Sequence, residues 1–237
     1  MQTLRRTVLV SGASSGIGKA VVKQLLTAGH RVIGLSRNTK QLDVSLTDFS
    51  AIELDLAKLS EIPLKTKQLL EQYSDLDAVV FAAGYGRFGH LEQFSFEQIE
   101  NLMTVNFTAQ VFLTRALLPA LKLKPHSNLI YIGSEAALKG SRKGTIYCAS
   151  KFALRGFTQA LRDECGNSSV RVSLINPGMV DTAFYESLSF KPGTRPSEAL
   201  QAADVADAVT FILKASASSG VDEINLNPLN KVIAFKK

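Results

Sequence analysis

The stretch TVLVSGASSGIGKA, Thr7 to Ala20, reads as a buried strand that runs through a glycine turn into a helix. Val8, Leu9 and Val10 form a short apolar run suited to a parallel strand covered on both faces. Gly12 permits the tight bend, Gly16 lets backbone come close to a phosphate, and Gly18 lets the helix pack on its strand. The helix N-terminus offers free N–H groups and positive dipole to a pyrophosphate. The glycines fall four and six residues after Gly12, wider than the usual G-x-G-x-x-G spacing, so the strand before and the helix after carry the reading.

Outward from that turn the chain alternates. Helical spacing covers Lys19 to Ala28 and stops at Gly29; strands are expected at Arg31 to Leu35 and Ala51 to Leu54, with a shortened, helix-free connection from Asn38 to Ser50 between them. A helix near Leu64 to Tyr73 and a strand at Ala78 to Ala82 lead to the turn Gly84-Tyr85-Gly86. Beyond it come one long helix over Phe96 to Leu121, a strand at Asn128 to Ile132, a helix near Ile146 to Cys165 and a strand at Val170 to Ile175. A last helix, Val205 to Ala215, has Asp204 placed to cap it, and Val221 to Leu226 is the last strand. Repeated βα alternation with short turns predicts an α/β, single-domain doubly wound Rossmann fold over residues 1–237, with a parallel sheet of about seven strands. Ligands in such folds bind beyond the carboxyl ends of the strands.

Composition narrows the function classes. The 237 residues are 46% hydrophobic and 20% charged, a globular balance without a disordered or fibrous signature. The formal charge of +6 raises nucleic acid as a partner, but the Lys and Arg residues are scattered rather than striped, and no nucleic acid is expected. Cys148 and Cys165 are too few for a disulfide framework, and no run of eighteen apolar residues exists to span a membrane, so a cytoplasmic protein is expected. No metal is expected.

Tyr147 and Lys151, four residues apart at the start of an expected helix, share one face. An ammonium near a phenol favours the phenolate and lowers its pKa, which makes a general acid or base usable near neutral pH. Ser134 stands just past an expected strand end, where its hydroxyl can polarise a substrate oxygen or cap the turn.

With these residues on the page the sequence resembles the short-chain dehydrogenase/reductase family over nearly its whole length. Ser11 to Gly18 is similar to the family's TGxxxGxG cofactor turn, with Ser14, Ser15 and Ile17 among its expected contacts. Tyr147 and Lys151 match its YxxxK pair, Ser134 its catalytic serine, and Asn106 its catalytic asparagine, which alone reads as a helix kink or polar core group. The resemblance further implies that Asp55 contacts adenine, that Ala83 and Gly84 face the cofactor, that Pro177 and Gly178 follow the sixth strand, and that Thr182 contacts the nicotinamide amide. Tyr147 would protonate a carbonyl oxygen that Ser134 also binds, Lys151 would lower the tyrosine and hold the ribose, and Asn106 would position a water in a proton relay. Two departures stand out: Ala82 lacks the amide that helps tie the family's central strands, and Asn227-Pro228 replaces a double glycine.

The expected cofactor is NADP(H). NAD-binding folds place an acid about 20 residues after the glycine turn to hold the ribose 2′-hydroxyl. Here Ser36 stands there, and the following Arg37 can fork onto a 2′-phosphate. The expected function is carbonyl–alcohol interconversion on a small molecule, by a homodimer or homotetramer joined through the helices near Thr104 to Leu121 and Ile146 to Cys165. The segment 182–203, with Phe184, Tyr185, Leu188 and Phe190, is the expected substrate lid. A catalytically idle nucleotide sensor or scaffold on the same fold is the alternative.

Overall fold

The computed structural model describes residues 5–42, 46–216 and 218–236. Its elements in order are β1 (Thr7–Ser11), α1 (Gly16–Thr27), β2 (Arg31–Ser36), β3 (Phe49–Glu53), α2 (Ile62–Gln72), β4 (Ala78–Phe81), α3 (Phe96–Met103), α4 (Ala109–Lys122), β5 (Ser127–Ile132), α5 (Thr145–Glu164), β6 (Val170–Pro177), β7 (Val180–Asp181), β8 (Phe190–Pro192), β9 (Leu200–Gln201), α6 (Ala202–Lys214), β10 (Glu223–Leu226) and β11 (Ile233–Phe235). Seven strands form one parallel sheet in the order β10-β6-β5-β4-β1-β2-β3, a doubly wound α/β arrangement.

The apolar runs are long because both faces are covered. One face packs against α2, α4 and α5 through Leu69, Leu113, Leu117, Leu154 and Leu161. The other packs against α1 and α6 through Val21, Leu25, Val205, Val209 and Ile212. Val10 stands level with Gly34 of β2 and Val80 of β4, so the loops that leave these three strands gather at one edge. The strand order reverses between β1 and β4, which puts a crevice there.

Three expectations change. The single helix over Phe96 to Leu121 is two helices joined by a wide π-type turn, Thr104–Thr108, with Asn106 at its centre. The last helix starts at Ala202, so Asp204 lies inside its first turn and caps by accepting from the Gln201 N–H at 2.7 Å. The segment 182–203 holds strand structure that its sequence pattern does not announce. β7 pairs with β9, and β8 pairs antiparallel with β11, which returns across it after β10. The connection after β2 contains only a 3-10 turn, Thr39–Gln41, among the described residues; residues 43–45 of that expected connection lie outside them.

Candidate active site

The glycine turn has the geometry that its residues require. Gly12 has φ +70°, and a Cβ there would lie 2.8 Å from the Ala83 Cα; one at Gly18 would lie 2.2 Å from the Gly12 carbonyl oxygen. Gly16, φ +50°, opens the first turn of α1, and its missing Cβ would stand 3.6 Å from Thr182. Ser15 is the N-cap residue and makes no side-chain cap bond, and no acid lies in the helix's first turn. Ser14, Gly16 and Ile17 are half-buried and Ser15 is exposed, so the turn presents a cradle lined by backbone.

At the end of β2 the Ser36 hydroxyl donates to Ser14 Oγ at 2.9 Å, which ties this corner to the glycine turn. Arg37 follows, exposed, and its guanidinium makes no hydrogen bond or ion pair among the described residues. Asp55 accepts from the Ala57 N–H at 3.0 Å, the behaviour of a turn residue. The missing amide at Ala82 leaves no gap in the tie between strands. Ser11 Oγ accepts from the Ala83 N–H at 3.2 Å, and Gln110 donates to the Ala83 carbonyl at 3.2 Å. Gly178, after Pro177, donates its N–H to the Leu226 carbonyl at 2.7 Å. A Cβ on Gly178 would stand 3.1 Å from Pro228, so Asn227-Pro228 closes directly over this turn.

Asn106, Ser134, Tyr147 and Lys151 converge on the ends of β4 and β5. Asn106 is fully buried; its amide donates to the Tyr85 carbonyl at 2.9 Å and Ser150 Oγ at 3.3 Å, while its oxygen accepts from the Tyr85 N–H at 3.0 Å. A Cβ on Gly84 would meet Asn106 Oδ1 at 3.2 Å and Lys151 Nζ at 3.8 Å. A side chain at this position would press on Asn106 while reaching Lys151 only in ordinary contact. Lys151 Nζ donates to the Ile132 carbonyl at 3.0 Å and sits 5.8 Å from the Tyr147 ring centre. Ser134 caps its own turn by accepting from the Ala136 N–H at 3.1 Å, and its hydroxyl lies near enough to the Tyr147 phenol to oppose the rise of its pKa.

The electrostatics correct one expectation. Burial drives the Lys151 ammonium down to about 8. Burial also pushes the Tyr147 phenol up to about 12, with Ser134 pulling the other way. The expected lowering of the tyrosine by the lysine does not appear: withdrawing the phenolate from water is the largest influence on it.

Residues that the sequence did not single out complete the site. Asn176, 1% exposed, accepts from the Ser134 N–H at 3.4 Å and donates to Glu223 at 2.6 Å and Asn225 at 2.9 Å. Gln110 donates to the Asn106 carbonyl at 2.9 Å. Phe88 packs its ring 5.1 Å from that of Tyr147, Phe184 stands 5.9 Å away on the same ring, and Phe190 meets Phe88 at 5.0 Å. Thus the 182–203 segment reaches Tyr147 through Phe184, with Tyr185 and Phe190 behind it at 5.8 Å from each other. A cavity of about 480 Å³ beside Asp181, Lys191 and Arg195 is lined by none of the expected site residues. The aromatic pattern was legible as a pocket wall; Asn176 and Gln110 were not, because nothing local marks a buried amide as a tie between strands.

Comparison with known proteins agrees with the fold. The family model for short chain dehydrogenase matches residues 6–192. An uncharacterized oxidoreductase of Staphylococcus epidermidis is 29% identical over 228 residues, 94% of this chain and 97% of the relative. One from Staphylococcus aureus is 28% identical over 229 residues, with the same shares covered. Among solved structures, an alcohol dehydrogenase from Thermococcus sibiricus complexed with 5-hydroxy-NADP is 27% identical, with TM-score 0.86 and 96% and 99% of the two chains covered. A short-chain dehydrogenase from Streptomyces avermitilis is 25% identical, with TM-score 0.84 and 94% and 88% covered.

Proposed function

The chain belongs to the short-chain dehydrogenase family, and from that premise we propose that it interconverts a ketone or aldehyde and the corresponding alcohol with NADP(H). The observation that carries the reading is the convergence of Ser134, Tyr147 and Lys151 at the end of β5, with Asn106 and Lys151 both against Gly84.

The residues present fit the cofactor. Gly12 and Gly18 hold the turn too tight for a Cβ, and Gly16 takes a left-handed φ at the mouth of a helix start with no competing acid. Ser14, Ser36 and Arg37 would take the 2′-phosphate: β2 itself ends on Ser36, with Arg37 next, rather than on an acid, and the guanidinium has no ion-pair or hydrogen-bond partner among the described residues. The relative from Thermococcus sibiricus bears a modified NADP, which supports the same choice. Asp55 would meet the adenine, Ala83 and Gly84 the ribose side, and Pro177, Gly178 and Thr182 the nicotinamide end. When bound, the reduced nicotinamide supplies the hydride.

The chain's own work is acid–base chemistry and placement. A phenol held near 12 keeps its proton at neutral pH, so Tyr147 enters as the acid and gives that proton to the carbonyl oxygen as negative charge builds there. Ser134 donates to the same oxygen, and its position is set by the Asn176 contact with its N–H. Lys151 holds the ribose and replaces the proton that Tyr147 gives up. Asn106 fixes the chain after Gly84 through both polar groups of Tyr85, which leaves its role in a relay to its main-chain carbonyl, where Gln110 already donates once.

Two measurements test the reading. Tyr147→Phe keeps NADPH binding and loses turnover by orders of magnitude in a panel of ketones, aldehydes and 3-oxo acids; normal turnover by the variant refutes the assignment. Arg37→Ala weakens NADPH roughly ten- to hundredfold, the worth of a charged hydrogen bond, and leaves NADH nearly unchanged. Equal wild-type affinities for the two cofactors would sink the NADP(H) preference.

A further inference from the structure

Two loops meet beside the Tyr147 ring. One follows β4 from Gly84 to Phe94 and the other follows β5 from Gly133 to Gly144; the Gly89 N–H joins them by donating to the Lys143 carbonyl at 2.8 Å. Phe88 sits at the junction, its ring 5.1 Å from that of Tyr147 and 3.4 Å from where a Gly144 Cβ would stand. Arg87, Arg142 and Lys143 flank that junction and are exposed. None of the three has an ion-pair partner among the described residues, and Arg87 is held 6.0 Å over the Phe94 ring. Lys139 adds a fourth cation on the second loop. Against them the two loops carry Glu92 and Glu135, and Glu135 is already paired with Lys231.

The backbone of the second loop is unusual in where it puts its strain. Lys143 holds the left-handed conformation, φ 64°, while the next residue, Gly144, has φ −104°. Glycine takes the left-handed region freely and lysine does not, so the turn keeps a cation at a position that the neighbouring residue type would fill more easily. Such strain persists where the side chain is wanted. Next to this cationic rim the packing is aromatic: Phe88 and Phe184 both meet the Tyr147 ring, and Phe190 meets Phe88 edge-on at 84°.

We propose that the substrate is an aromatic or similarly flat conjugated carbonyl compound with a carboxylate at the end away from the carbonyl. Its ring packs against the cluster of Phe88, Phe184 and Phe190, where edge-to-face contacts are favourable, and its carboxylate meets Arg87, Arg142 and Lys143. The proposal rests on the carbonyl-reductase reading above and adds the class of molecule.

The test compares 4-acetylbenzoate with 4-acetylbenzamide, which differ in charge and little in shape, by NADPH oxidation. The acid is expected to have the higher kcat/KM, by about tenfold or more, as one charged hydrogen bond provides. Lys143→Gly lowers the acid-to-amide ratio without lowering the melting temperature, because it relieves the backbone while removing the charge; Arg142→Ala lowers the ratio further. Equal kcat/KM for acid and amide, or a preference that both variants leave intact, overturns the proposal and leaves carbonyl reduction standing. Should no ketone or aldehyde be reduced at all, the reading above fails instead. Equilibrium binding then decides the anion question: 2-naphthoate binding the NADPH-loaded protein at least several-fold more tightly than 2-naphthamide, and losing that advantage in Lys143→Gly, upholds the cationic rim, and equal binding overturns it.

Discussion

Lys151 is held where its charge is least favoured. Burial alone moves its ammonium from the ordinary 10.5 to about 8. Below pH 8 both the folded and unfolded chains carry the proton, and the cost of the buried charge is fully present. Between 8 and 10.5 the folded chain has released its proton while the unfolded chain still holds one, so stability rises with pH. Lys151→Met removes this dependence and, with it, turnover. The stability of the variant relative to wild type is therefore expected to fall by about 2 to 3 kcal/mol between pH 7 and pH 10. Urea denaturation at the two pH values measures it, and a pH-independent difference would show that the ammonium is not desolvated. The Tyr147–Lys151 spacing was legible because a helix puts such residues on one face. The direction of the Tyr147 shift was not, because the rings that dry it come from Phe88 and Phe184, on two distant loops.

At the scale of elements, β6 is the strand that holds the site's scaffold together. Asn176 near its end reaches β10 through Glu223 and Asn225 and the end of β5 through the Ser134 N–H. Arg155 of α5 grips the same Glu223 at 2.9 Å. Asn176→Ala leaves the Ser134 N–H after β5 and the Glu223 and Asn225 side chains of β10 short of a partner, and is expected to cost about 1 to 3 kcal/mol. It also lowers kcat more than it raises KM, because Ser134 loses its anchor and the substrate pocket keeps its walls. A loss below about 0.5 kcal/mol, within the range of ordinary surface changes, contradicts the role. The β1–turn–α1 unit was readable since its constraints are mostly local: Gly18 answers to Gly12 in the same turn, and Gly12 to Ala83 just past the strand beside it. The π-type turn at Thr104–Thr108 was not, since apolar spacing runs through it and the cause is an amide pairing with Tyr85 on another loop. β8 and β11 escaped for a different reason. Pro192 breaks the pattern of the first, and the second leaves Ile233 and Phe235 exposed, so neither alternates as a half-buried strand does.

For the whole molecule, the helices α4 and α5 that cover one face of the sheet each leave a large ring in solvent. Phe112 of α4 is 39% exposed and Phe152 of α5 44%. The homodimer or homotetramer expected from the sequence would bury these rings. Light scattering at micromolar concentration is expected to return a multiple of the 25.7 kDa chain mass, and Phe112→Glu with Phe152→Glu to lower it; a wild-type value of one chain mass refutes the assembly. The pairing of β8 with β11 bears on another property. The seven-stranded sheet takes its last strand, β10, at Leu226, so β11 draws its cohesion from β8 and from the bonds that Asn230 and Lys236 make to Ser197, Ser189 and Glu186. None of these bonds is shared with the sheet. The cover over Tyr147 and the strand that returns across it are therefore expected to open as one unit below the free energy of global unfolding, with the amide protons of Gly193 and Lys236 exchanging with solvent deuterium on one clock; widely different exchange rates for the two would contradict it.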